Sequence, residues 1–214
     1  MKNIKSLIQG SQKFKKSEFK KRKREFKKLA TQGQNPKILF IGCCDSRVLP
    51  NLITNTGPGD LFVVRNIGNF VAPYKLDEDY HSTAAAIEYA VNVLDVEDII
   101  VCGHSHCGAI SALYYDDSKF EKKDIPHVKT WLNLGVDAKD FVQEWGGELS
   151  KEDKLTMTEE VSVLFQLENL LTYPSVSERV DNERLSLHGW HYDIESGDIY
   201  AFDEELEEFM PLGS

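Results

Sequence analysis

Two stretches decide the fold: Lys37-Ile-Leu-Phe-Ile-Gly-Cys-Cys-Asp-Ser-Arg47 and Asp98-Ile-Ile-Val-Cys-Gly-His-Ser-His-Cys107. Each begins with a short apolar run, which is typical of a strand covered on both faces of a parallel sheet. In such sheets, ligands gather outside the carboxyl ends of the strands. If the two strands are neighbours, we expect Cys43, His104 and Cys107 to meet at that edge.

Two thiols and one imidazole form a ligand set that suits zinc. His104 and Cys107 are separated by two residues, a spacing that lets one turn hold one ion. Three protein ligands leave a fourth tetrahedral position open, which is typical of catalytic rather than structural zinc. Cys44 should point away from the metal, and Cys102 is interpreted as a small buried hydrophobic residue. His191 has no partner at ligand spacing and is interpreted as ordinary.

The remainder of the chain alternates strands with helices. Leu61-Phe-Val-Val-Arg65 predicts a further strand, and Ser82 is interpreted as the N-cap of a helix. Two more helices are predicted at roughly 127–143 and 154–171. Residues 185–202 predict an antiparallel hairpin at a sheet edge. The expected fold class is therefore α/β, with a central, mostly parallel sheet flanked by helices, an N-terminal helical arm and a C-terminal hairpin.

Charge is unevenly distributed along the 214 residues, which we expect to form a single domain. Residues 1–30 form a basic arm with 12 Lys and Arg against 2 acidic residues, while the net charge of the chain is −10. The body is assigned to residues 31–205 and a tail to residues 206–214. A basic arm can bind nucleic acid or an anionic membrane. We favour an arm that lies across an acidic surface of its own or a partner subunit.

The composition also suggests where the protein works. No apolar run approaches the about 20 residues needed to span a bilayer. The N-terminus lacks the apolar core and cleavage site of a signal peptide. We therefore expect a cytoplasmic protein, with a carboxysome or similar compartment left open, and no nucleic acid or membrane partner. The four cysteines are then ligands or free thiols rather than disulfides.

A charged pair, Asp45 and Arg47, is built into the first ligand segment. Beside a metal-bound water, Asp45 can accept a hydrogen bond while Arg47 keeps the carboxylate ionised and oriented. If Arg47 releases it, Asp45 is near enough to Cys43 to become the fourth ligand and close the site. The pair therefore predicts an active and a blocked state.

Cys-x-Asp-Ser-Arg at residues 43–47, followed by His-x-x-Cys at residues 104–107, resembles the β-class carbonic anhydrases, in particular their plant-type and cyanobacterial branch. Four further segments are similar to the same family: 58–69, 85–90, 103–109 and 185–190. The resemblance covers roughly residues 1–205. It implies reversible hydration of CO2 to bicarbonate and a proton, by attack of zinc-bound hydroxide.

The resemblance also implies roles for individual residues. Cys43, His104 and Cys107 would bind Zn2+, and Asp45 and Arg47 would form the catalytic gating pair. The substrate pocket, shared across the interface of a homodimer or higher homo-oligomer, would include three further residues: Gln34, Phe62 and Tyr89.

One position departs from the branch of the family that carries an inhibitory bicarbonate site. That branch has Trp three residues before the first cysteine, whereas this chain has Phe40, which has no N–H to donate. Three alternatives to a carbonic anhydrase stay open. They are a COS or CS2 hydrolase of the same superfamily, a structural zinc protein in which Asp45 fills the fourth position, and a nucleic-acid binder that uses the arm.

Overall fold

A computed structural model describes residues 3–77, 79–116 and 124–213. Within these ranges, one six-stranded sheet has the order β2-β1-β3-β4-β5-β6. Its first four members are parallel to their neighbours, and β5 and β6 are antiparallel. The strands are β1 (Ile38–Cys43), β2 (Leu61–Asn66), β3 (Asp98–His104), β4 (Ser186–Tyr192), β5 (Ile199–Asp203) and β6 (Glu208–Pro211). The expected α/β fold with a mostly parallel sheet is confirmed.

Helices connect and cover the strands. In chain order they are α1 (Ile4–Lys16), α2 (Glu18–Lys21), α3 (Lys23–Gln32), α4 (Pro50–Ile53), α5 (Ser82–Asn92), α6 (Gly108–Leu113), α7 (Pro126–Leu132), α8 (Val136–Trp145), α9 (Lys151–Leu171) and α10 (Pro174–Asp181). Two 3-10 turns lie at Ile67–Asn69 and Asn133–Gly135. No helix in the described ranges is long and apolar enough to cross a membrane.

Two local predictions differ from the structure, and a third is confirmed with an addition. Ser82 is the first residue of α5, and His81 occupies the capping position, where its side chain makes no hydrogen bond to the first turn of the helix. The helix predicted near residues 127–143 is interrupted by the turn Asn133–Gly135. The predicted C-terminal antiparallel hairpin is confirmed as β4 and β5, and β4 also pairs in parallel with β3. Beyond the hairpin, this edge of the sheet belongs to β6, a short strand that the sequence pattern did not reveal.

Helix α9 packs closely on the sheet at Gly103, and this approach shapes the edge where the proposed ligands lie. A Cβ added to Gly103 on β3 would come within 2.8 Å of Val163 Cγ2 and 3.3 Å of the carbonyl oxygen of Glu159. The missing side chain therefore lets α9 approach β3. As a result, Glu159 of this helix reaches the carboxyl ends of the central strands.

The basic arm is helical, as expected, but it bends at Ser17 and Arg22 between its three helices. The bends bring three phenylalanine rings together, with ring centroids 5.3–6.2 Å apart: Phe14, Phe19 and Phe26. Leu29 then packs on the body, where its Cδ2 atom occupies the space beside Gly59. The arm is therefore anchored to its own chain through α3, whereas the apolar residues of α1 stay exposed.

Candidate metal centre

The carboxyl ends of β1 and β3 bring the proposed ligands together. These strands are parallel neighbours, and Gly42 is level with Cys102. Cys43 ends β1 and His104 ends β3, while Cys107 immediately precedes α6. The two sulfur atoms and an imidazole nitrogen lie within 4.8 Å of one another, and all three residues are buried. The expectation that the two strands are neighbours is confirmed.

The orientation of His104 suits a metal ligand. Its Nδ1 atom donates a hydrogen bond to the carbonyl oxygen of Ser105 at 2.9 Å, since a carbonyl can only accept. In its neutral form, the ring then keeps its lone pair on Nε2. That atom is buried and has no hydrogen-bond partner among the residues that the structure describes. Leaving a buried polar atom unsatisfied is costly, so a metal ion fits this position chemically.

A hydrogen bond from the Cys107 thiol to the Cys43 sulfur shifts the pKa values of the two groups in opposite directions. A hydrogen bond from Cys107 is the main reason that the pKa of Cys43 lies well below its usual range, and backbone N–H groups of Asp45 and Gly68 also contribute. The neighbouring Cys43 sulfur and burial both raise the pKa of Cys107. A divalent cation would replace the Cys107 thiol proton and would allow both sulfur atoms to ionise.

Asp45 and Arg47 form a bidentate pair beside the cluster. Arg47 donates from Nε to Oδ1 at 2.9 Å and from Nη2 to Oδ2 at 2.8 Å, and its backbone N–H also reaches Oδ1. These donors hold the pKa of Asp45 well below its usual range. Because both carboxylate oxygens face Arg47, Asp45 is not part of the three-residue ligand cluster.

Arg65 is a contact residue that the sequence analysis did not assign to the site. Its Nε atom donates to the carbonyl oxygen of Cys43 at 2.8 Å, and its Nη2 atom donates to that of Asp45 at 2.7 Å. It therefore fixes the backbone that carries both a ligand and the acidic member of the charged pair. An arginine within an apolar strand was the only signal available from the sequence.

Glu159 and His191 were also missed. Glu159 Oε1 accepts a hydrogen bond from the backbone N–H of Cys107 at 2.8 Å, and its Oε2 atom lies 3.3 Å from His191 Nε2. Both side chains are almost fully buried. The sequence had given His191 no partner, because β4 and α9 meet only in the folded protein. The available signal in the sequence was the position of Glu159, four residues before Val163 and therefore on the same face of the predicted helix.

Three predicted pocket residues lie apart from the cluster within one chain. Phe62 and Tyr89 pack against each other, with ring centroids 5.8 Å apart, and Tyr89 is 44% exposed. Gln34 is exposed in the loop after α3. No hydrogen bond or ion pair among the described residues joins Gln34 to the ligand cluster.

Comparisons with known proteins agree with this geometry. A model of the carbonic anhydrase family matches residues 38–199. A carbonic anhydrase of Synechocystis sp. is 44% identical over 204 residues, which cover 95% of this chain and 73% of that protein. The solved structure of the β-carbonic anhydrase CcaA has a TM-score of 0.91 at 43% identity, covering 99% of this chain and 92% of that one. A tetrameric β-carbonic anhydrase of Sordaria macrospora has a TM-score of 0.79 at 28% identity, with coverage of 99% and 97%.

Proposed function

This chain belongs to the β class of the carbonic anhydrases, and from that premise we propose that Cys43, His104 and Cys107 hold its catalytic zinc beside Asp45 and Arg47. Enzymes of this class use zinc to hydrate CO2 reversibly to bicarbonate and a proton. The observation that carries the assignment is the convergence of three buried ligand atoms. One of them, His104 Nε2, has no hydrogen-bond partner within the described parts of the chain.

Zinc held by these three residues would supply a Lewis acid that makes a nucleophile available near neutral pH. The chain itself supplies orientation. Arg47 donates to both carboxylate oxygens of Asp45 and leaves their remaining lone pairs available. Asp45 can therefore accept a hydrogen bond from the nucleophile and aim its free electron pair at CO2. With its pKa well below the usual range, Asp45 acts as an orienting acceptor rather than as a base that stores the proton.

The apolar wall for CO2 would come from a second subunit. Phe62 on the edge strand β2 and Tyr89 on α5 form a ring pair, and Tyr89 is partly exposed in the single chain. Gln34 is likewise exposed and carries an amide that can donate to a substrate oxygen. We assign these three residues to a pocket that is completed in a homodimer or higher homo-oligomer. The tetrameric relative supports this assembly by analogy.

A cytoplasmic, single-domain enzyme remains our proposal for location and organisation. The four cysteines are all free, which is the usual state in a reducing compartment. The body, residues 31–205, contains strands β1 to β5 and all the proposed site residues.

A purely structural zinc site is the less favoured reading. Such a site is closed by a fourth protein ligand, and Asp45 is the nearest candidate. Both oxygens of Asp45 are instead turned to Arg47 at 2.8–2.9 Å. The arrangement therefore leaves the fourth position open.

Zinc content and the rate of CO2 hydration, measured together on the wild type and on Cys107→Ser, test the proposal. We expect one zinc ion per chain in the wild type and the loss of both zinc and activity in the variant. Cys102→Ser is the matched control, because Cys102 is equally buried but lies outside the ligand cluster. A Cys107→Ser protein with full zinc content and full rate would contradict the ligand assignment.

A further inference from the structure

We propose that Glu159, supported by His191, is a positioning residue that fixes the peptide group between His106 and Cys107. Through this peptide it would orient both a metal ligand and the guanidinium group of Arg47. The inference rests on the proposed function, because it concerns the residues that would hold the zinc.

The peptide group between His106 and Cys107 is held from both sides. On the side of the charged pair, Arg47 Nη2 donates to the carbonyl oxygen of His106 at 3.0 Å. On the core side, the N–H of Cys107 donates to Glu159 Oε1 at 2.8 Å. Hydrogen bonds at the two ends of one peptide group polarise it in the same sense, so each strengthens the other. The peptide group is planar and rigid. A displacement of Glu159 would therefore move the whole group, including the carbonyl oxygen that Arg47 contacts.

This peptide needs support that the local backbone cannot provide. His106 has a φ of 58°, a left-handed conformation that is unfavourable for a residue with a Cβ. Cys107 precedes the first residue of α6, where backbone N–H groups have no acceptor within the helix. Glu159 supplies the missing acceptor from α9. The contact therefore stabilises the strained turn at His106, and the residue that follows it, Cys107, is a proposed zinc ligand.

The support itself is built into the core. His191 lies on β4 level with Gly103 of β3, and its Nε2 atom is 3.3 Å from Glu159 Oε2. The close approach of α9 at Gly103 places both groups there. Burying a carboxyl group is unfavourable unless it is partnered, and Glu159 has a partner on each oxygen. These contacts form a continuous path from His191 through Glu159, the peptide and Arg47 to Asp45.

The neighbouring residue Glu160 provides a matched control. It lines the same cavity of about 410 Å³ as Glu159 and His191. However, it makes no contact with Cys107 among the described hydrogen bonds. The same substitution at Glu160 thus removes the same carboxylate from the same cavity as it does at Glu159, but it leaves the contact with the Cys107 peptide group in place.

The test uses full-length protein loaded with zinc and, separately, with Co2+. We expect Glu159→Met to increase the rate of zinc release to an excess of chelator by about 10- to 100-fold, the usual effect of removing a contact behind a metal ligand. Glu159→Gln keeps an acceptor for the Cys107 N–H, so the increase should be smaller. The visible absorption bands of the Co2+ protein should shift in Glu159→Met. Glu160→Met and Glu160→Gln should match the wild type in both measurements.

A double substitution tests whether the two sides of the peptide act together. Arg47→Met and Glu159→Met should each increase zinc release, and the combined variant should show a smaller increase than the product of the two. If Glu159→Met does not fold, Glu159→Gln combined with Arg47→Met provides the same comparison.

Three results separate failure of this inference from failure of the proposed function. A wild-type protein that binds zinc stoichiometrically, with equal release rates in Glu159→Met and Glu160→Met, would overturn the positioning role alone. Independent, multiplying effects of the Arg47 and Glu159 substitutions would also overturn it. If the wild-type protein did not bind zinc stoichiometrically, this result would instead contradict the proposed function on which the inference rests.

Discussion

Arg47 Nη2 lies 2.8 Å from Asp45 Oδ2, and its Nε atom lies 2.9 Å from Oδ1. The pair is only two residues apart, yet it adopts the planar, two-bond geometry in which guanidinium–carboxylate contacts are strongest. The Asp45 side chain is 18% exposed, whereas that of Arg47 is 46% exposed. Such a half-exposed pair stabilises a fold little, so its geometry is better explained by the adjacent metal ligands.

We predict that Asp45→Asn and Arg47→Ala each retain zinc but lose CO2 hydration activity by at least about 10- to 100-fold, since they remove orientation and charge rather than a ligand. Lys37→Ala is a suitable control, because Lys37 forms a 2.8 Å surface pair with Glu97 away from the ligands. Stopped-flow CO2 hydration and metal analysis on the same samples measure both properties. Near-normal rates in both variants would show that the pair is only structural.

The metal-free protein should contain a thiolate at mildly acidic pH. The pKa of Cys43 lies well below the usual thiol value, whereas burial raises that of Cys102 to about 12. Ultraviolet thiolate absorbance at a pH of about 6 should therefore fall by one equivalent when Cys43 and Cys107 are both replaced by Ser, because an ordinary thiol with a pKa of about 8.5 is protonated there. Cys102→Ser should leave the absorbance unchanged. Equal spectra for the wild type and the double variant would contradict the prediction.

Bicarbonate should inhibit this enzyme without strong cooperativity. Phe40 occupies the position where the inhibited branch of the family has Trp, and it is fully buried against the edge of Trp190. It has no N–H to offer an anion. Arg65 is already engaged by the carbonyl oxygens of Cys43 and Asp45. Initial rates measured over a range of bicarbonate concentrations should follow a hyperbolic curve, and a sigmoidal curve with a steep, two-proton pH dependence would refute this prediction.

Glu160 should reduce stability at neutral pH. Burial raises the pKa of this carboxyl group, which means that the folded state disfavours its ionised form. The unfolded chain releases the proton near pH 4.3, so the folded state loses stability as pH rises from about 4.3 through the folded pKa. Glu160→Gln should therefore unfold at a higher temperature than the wild type at neutral pH, and the difference should disappear as pH falls to about 4. Thermal unfolding across pH measures this, and a constant difference would contradict it.

The arm should contribute to assembly. Its first helix exposes three apolar residues, Ile4, Leu7 and Ile8, by 53–69% in the single chain. An isolated helix of 13 residues is marginal in water, so α1 should dock on another surface. We predict that a variant beginning near Gln32 has a lower mass by light scattering and a lower CO2 hydration rate.

Point substitutions sharpen the test of the arm. Leu7→Ser with Ile8→Ser should reproduce part of the loss, whereas Gln9→Ser, on an exposed residue of the same helix, should not. A shortened protein with its native mass and full rate would show that the arm is not an assembly element. In that case, binding to nucleic acid or to an anionic membrane would become the stronger interpretation of its charge.

Much of the fold could be read from local patterns. Apolar runs predicted β1 and β3, because a strand buried on both faces needs apolar side chains in succession. A shorter apolar run predicted β2, a partly buried strand at the sheet edge. The short strand β6 and the parallel pairing of β4 escaped prediction. Four residues carry too little periodic signal, and the partner of a strand lies far away in sequence.

For the site, the amino-acid sequence by itself determined the residues whose chemistry is local: two thiols, an imidazole and a charged pair at short spacing, with Cys43, His104 and Cys107 as candidate ligands. Only the tertiary structure decided which buried residues contact the backbone of these ligands. Glu159 comes 52 residues after Cys107, and His191 comes 32 residues after Glu159. They meet because α9 packs closely on β3 and β4 at Gly103. A contact that depends on how a helix packs on a sheet produces no characteristic spacing in the sequence, so it could not be predicted from the sequence.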